Sequence, residues 1–74
     1  MTIDRLKEAA AAVAGEMKGE LTPAVRERFI AVRTELFRRG IYDPVLVRFD
    51  SATAPRATKD EIAAQLETVA ESLA

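Results

Sequence analysis

Asp43-Pro44-Val45-Leu46-Val47-Arg48-Phe49 is the stretch whose reading decides the fold. A residue that precedes proline is biased away from the helical region, so Asp43-Pro44 reads as a helix breaker. The residues after it are rich in β-formers and alternate weakly, with Val45, Val47 and Phe49 on one side and Leu46 and Arg48 on the other. The expectation is an extended segment over 44–49 containing a short strand, 45–49. A buried strand needs partners for its backbone donors and acceptors, yet no second strand is visible elsewhere in the 74 residues. Three arrangements compete. The strand pairs antiparallel with its own copy across a two-fold axis, or it adds to the sheet edge of another protein. In the third, an irregular extended segment lies across the helices, buries Val45, Val47 and Phe49, and leaves its backbone to water.

Outward from this stretch, the chain is helical. On the N-terminal side, Thr22-Pro23 is a strong start signal, because threonine caps well and a proline at the first helical position loses no hydrogen bond. The helix it opens runs over about 23–39. Val25, Phe29, Val32 and Leu36 form its main stripe, and Gly40 follows the basic pair Arg38-Arg39 at its end. A second apolar line, Ile30 and Phe37, lies about 120° round the same helix, with Arg26 and Arg33 on its inner edge. Before it, residues 2–18 read as an amphipathic helix on the stripe Ile3, Leu6, Ala10, Val13 and Met17, capped by Thr2 and stopped at Gly19 by a left-handed residue. Ala9 to Ala12 leave one stretch nearly featureless, which lets another backbone approach closely. The connection of residues 19–21 is short, so these two helices should form an antiparallel hairpin. On the C-terminal side, 50–57 is a Ser/Thr/Ala/Pro loop. Thr58-Lys59-Asp60-Glu61 then matches a capping box that opens a last helix over about 59–73, with Ile62, Leu66, Val69 and Leu73 as its stripe.

Size and composition narrow the function. The chain is a single small helical domain, 1–74, and its 49% hydrophobic content includes 14 alanines, so its core is thin. It has no cysteine and no histidine, which removes disulfide staples, thiol nucleophiles, the usual general base and the usual zinc ligands. Association with a second copy is the remaining ordinary way to stabilise so short a chain. The start Met1-Thr2-Ile3-Asp4-Arg5 lacks the basic and apolar regions of an export signal, and no apolar run approaches the ~20 residues of a membrane span. The expected setting is cytoplasmic, with no contact to a membrane.

The remaining candidates are weaker. Asp43 and Asp50 bracket the strand, and one or two carboxylates can hold magnesium, but aspartates at turns more often serve the local backbone. Ser51, Thr53, Arg56, Thr58 and Lys59 lead into a helix N-terminus that attracts anions, although capping by Thr58 and Glu61 already explains those residue types. No metal, cofactor or catalytic residue is assigned.

Charge is uneven around a net of −1: residues 22–48 carry six basic and three acidic groups, and residues 49–74 carry two and five. The arginines Arg26, Arg28, Arg33, Arg38, Arg39 and Arg48 raise the question of nucleic acid, and a helix-turn-helix from the first two helices is geometrically conceivable. A pI near 5.4 and the interruptions Glu27 and Glu35 oppose it. A ribbon-helix-helix repressor uses a dimeric strand pair too, but there the strand precedes both helices, and here the order is reversed.

The resulting expectation is a mostly α protein: an N-terminal helical hairpin, a short extended segment and a C-terminal helix, completed by dimerisation. It is expected to be no enzyme but a small accessory protein that self-associates and binds a protein partner. The contact candidates are Phe29, Ile30, Phe37, Tyr42, Val45, Val47 and Phe49. The alternative is a DNA-binding regulator that uses Arg26, Arg28, Arg33, Arg38 and Arg39.

Overall fold

Each helix begins at a residue whose side-chain oxygen accepts from a backbone amide that the first turn leaves free. Thr2 Oγ1 accepts from the Arg5 amide, Thr22 Oγ1 from that of Val25 and Thr58 Oγ1 from that of Glu61, each at 3.2 Å. The computed structural model describes residues 1–49 and 58–73, and 75% is helical, with no strand among the described residues. The helices are α1 (Ile3–Met17), α2 (Pro23–Arg38), α3 (Pro44–Val47) and α4 (Lys59–Ser72). The three long ones lie within a residue of their expected limits.

The extended segment is the main correction. Residues 44–47 are a helical turn, and Asp43, read as part of a breaker, is its N-cap: Asp43 Oδ1 accepts from the Val45 amide at 2.9 Å and from the Leu46 amide at 3.3 Å. Asp43 keeps the extended backbone, φ −116° and ψ 121°, that a residue before proline prefers, and an N-cap has that same conformation. Proline at the next position starts the helix rather than ending one. The β propensity of Val45, Leu46 and Val47 is outweighed because a turn of helix turns Leu46 fully into the core. The alternation fails accordingly, since Val47 is 44% exposed while Leu46, expected on the opposite side, is 0%. Pairing across a two-fold axis and addition to a foreign sheet edge both presuppose a strand that residues 44–47 do not form. The expected loop 50–57 lies outside the described residues.

Gly19 is a smaller correction. The positive-φ glycine of the chain is Gly40, at +80°. α1 instead closes through amides that bond three residues back, Lys18 to Gly15 O and Gly19 to Glu16 O, which tightens the last turn without a left-handed residue. At the end of α2, Gly40 is required. Its amide bonds Phe37 O and that of Ile41 bonds Leu36 O, both at 3.0 Å, the paired closure that needs a left-handed residue between them.

α1 is the middle element. α2 runs antiparallel along one flank, with Arg28 beside Glu16 and Arg39 beside Met1, and α4 antiparallel along the other, with Lys59 Nζ on Lys18 O. α2 therefore ends at the opposite pole from the start of α4, and the described residues 40–49 begin the return between them. α3 lies on that return path, tied to α4 by a 2.5 Å bond from Gln65 Nε2 to Asp43 Oδ2 and to α2 by a 3.2 Å bond from Arg33 Nη1 to Leu46 O. The core inside is one cluster in which Leu6, Met17, Phe29, Leu36, Leu46, Ile62 and Leu66 are fully buried, and no polar or charged side chain is buried among the described residues. The radius of gyration is 11.3 Å, about the 11 Å expected of a globular chain of this length.

Candidate interaction surfaces

The structure divides the contact candidates into three groups. Phe29 (0% exposed) and Phe49 (8%) belong to the core, where their rings meet at 4.7 Å between centroids and 58° between planes. They hold the chain together and offer nothing to a partner from outside. Ile30, Phe37 and Val45 are half-buried against that core. Tyr42 is 72% exposed and Val47 44%. The second apolar line of α2 is thus covered from within by the segment that returns along it, as the contacts of Arg33 with Leu46 O, Arg26 with the Phe49 ring and Phe37 with Tyr42 show.

What stays open is the surface at the C-terminal end of α2. The Phe37 and Tyr42 rings pack at 5.3 Å between centroids and 39° between planes, beside half-buried Ile41. Phe37 is fixed by the core beneath it, and it in turn steadies the exposed phenol ring. Tyrosine is well suited to interfaces, because it offers a broad apolar face and a polar tip with few rotamers to lose. Arg38 at the same end is exposed.

Of the six arginines considered for nucleic acid, Arg48 is exposed with no side-chain partner among the described residues, and the five on α2 and its cap are engaged by their own chain. Arg28 Nη2 lies 2.6 Å from Glu16 Oε2 and Arg38 Nη1 3.2 Å from Glu35 Oε2. Arg39 Nε lies 3.6 Å from Glu35 Oε1, and its Nη2 donates to Met1 O. The Arg26 guanidinium sits 5.2 Å from the Phe49 ring centre, and that of Arg33 5.7 Å from the Phe29 ring centre. No continuous row of free guanidinium groups is left along α2 to follow a phosphate backbone.

Asp43, considered for magnesium, spends both carboxylate oxygens on Val45, Leu46 and Gln65. Its companion Asp50 lies outside the described residues, as do Ser51, Thr53 and Arg56 of the anion-site candidate. Of the other two, Thr58 caps α4 and Lys59 is taken by Lys18 O and Asp60. No group of three or more carboxylates suited to a metal ion occurs among the described residues. Among them, too, no helix is long and apolar enough to cross a membrane.

A second surface was only half visible in the sequence. Along the seam of α1 and α2 runs an apolar groove of about 260 Å³, formed by Ala9, Ala12 and Val13 on one side and Ala31 and Val32 on the other. Met1 lies at one end, and the Glu16–Arg28 ion pair closes the other. The run Ala9 to Ala12 signals close approach, but the sequence alone does not say that α4 covers one flank of it and leaves the other open. Compared with known proteins, the chain matches no family model, no curated protein and no solved structure.

Proposed function

We propose that this chain is a small non-catalytic accessory protein, at work in the cytoplasm, that associates with a second copy of itself and binds a protein partner. The observation that carries the reading is Tyr42, 72% exposed and packed on Phe37. A rigid aromatic held at the surface by a half-buried one is the kind of anchor on which binding energy concentrates. The chemistry available elsewhere agrees with a binding role. The sequence has neither histidine nor cysteine, and Asp43, the one of the two aspartates weighed for magnesium that lies among the described residues, is committed to capping a helix and to Gln65.

The experiment is site-specific photo-crosslinking in cells, with the reactive residue at Tyr42 and, as a control, at exposed Thr34 of the same helix end. The expected result is one discrete adduct with another protein from position 42 and none from position 34. Equal labelling from both, or none from position 42, contradicts the reading.

A further inference from the structure

We infer that the groove between α1 and α2 receives a second copy of this chain, with the two α1 helices antiparallel across a two-fold axis. The inference rests on the self-associating reading above and assigns its surface. Arg5, Ala9, Ala12 and Glu16 follow at spacings of four, three and four, which places them within about 60° of arc on one stripe of α1. Ala9, Ala12 and Glu16 line the groove, Arg5 continues their stripe toward the N-terminus, and all but half-buried Ala9 are exposed.

The order of its residues is what identifies the occupant. Ala9 and Ala12 lie equally far from the midpoint between Ala10 and Ala11, and so do Arg5 and Glu16. An antiparallel copy centred there brings Ala9 against Ala12 and Arg5 against Glu16, each twice. A two-fold contact must be complementary to itself in this way. A parallel copy in register sets Arg5 against Arg5 and Glu16 against Glu16, so charge selects one orientation. The alanines at the centre let the backbones come close and lose no rotamer freedom on burial.

The charged ends are ready for this use. The Arg5 guanidinium has no partner among the described residues; apart from the helix ladder, the residue's bond is from its backbone amide to Thr2 Oγ1. Glu16 receives Arg28 from its own chain through Oε2 at 2.6 Å and 3.1 Å. A carboxylate has two oxygens and about four acceptor positions, so Oε1 remains for the incoming Arg5.

Two charge reversals test the pairing. Arg5→Glu and Glu16→Arg are each examined alone and as an equimolar mixture by sedimentation velocity, with helicity recorded to confirm folding. Each alone sets like charges opposite one another twice, and self-association is expected to weaken on the order of tenfold. In the mixture the new carboxylate of one chain faces the new guanidinium of the other, while the unaltered Glu16 and Arg5 face each other. Mixed dimers are therefore expected at close to wild-type affinity. Ala12→Glu, which leaves the Glu16–Arg28 pair intact, is expected to abolish dimers of a folded chain. Wild-type dimers unaffected by all three changes would overturn the inference and leave self-association standing on some other face. A wild-type chain that never dimerises would remove both, and a crosslink from position 12 to a different protein would assign the groove to that protein.

Discussion

α2 and α3 open by the same device and go on very differently. Thr22-Pro23 and Asp43-Pro44 each supply a capping oxygen followed by proline at the first helical position, yet one helix runs for 16 residues and the other for four. α2 has Val25, Phe29, Val32 and Leu36 to bury turn after turn, until Gly40 closes it. α3 has only Leu46, and the next buried side chain, Phe49, reaches Phe29 from beyond its end. A cap and a proline thus decide where a helix starts. Its length depends on how many successive turns find something to bury.

The largest effects are expected in the core. Phe29→Ala removes a fully buried ring from the main stripe of α2 and its contact with Phe49, and should cost about 3–5 kcal/mol in urea unfolding, enough to unfold much of so small a domain. Leu46→Ala, the same experiment on α3, should cost roughly 2–3 kcal/mol, the low end for a buried leucine, because a single turn at the edge can settle into the gap. If the Leu46 change costs less than about 0.5 kcal/mol, the size expected of a surface substitution, α3 is no part of the core.

The caps come next. Asp43→Ala removes a cap that also accepts from Gln65 on α4, and should cost about 1–2 kcal/mol, whereas Thr22→Ala loses a cap alone and should cost about 1 kcal/mol or less. The reverse order would mean that the Gln65 contact contributes nothing to holding α3 against α4. The smallest effect has the most informative sign. Val47→Ala, at the exposed last position of α3, should change stability by no more than a few tenths of a kcal/mol, because alanine's better helix propensity offsets the little burial lost. A cost above roughly 1 kcal/mol would mean that Val47 is buried, as it would be on the inner side of a strand.

The three long helices were legible because their signals agree: a capping threonine, a stripe at spacings of three and four, and in α2 a glycine where the helix stops. The 44–47 turn was not, because two signals conflicted there. Val45, Leu46 and Val47 favour extended structure by local propensity, while Asp43-Pro44 favours a helix start by capping. The conflict is resolved by Leu46, whose burial depends on where α4 passes, and four residues are too few for a helical period to appear in the sequence. The surfaces were legible in part. Ile30 and Phe37 were visible as a second apolar line, but whether that line meets solvent or its own chain depends on the path of residues 41–49. Tyr42 stood out as the chain's lone tyrosine, and its exposure is what the structure adds. The groove remained hidden because its two walls come from different helices and because alanine is as common in cores as on surfaces.

The closed core also changes what self-association should look like. Leu6, Met17, Phe29, Leu36, Leu46, Ile62 and Leu66 are fully buried within one chain, so the self-association proposed above would use a folded surface. Molar mass by light scattering over a dilution series, with helicity followed in parallel, tests this most directly. The expected result is a mass that falls from dimer to monomer on dilution while helicity stays constant. Helicity that falls together with the mass, or a monomer at every concentration, would contradict it.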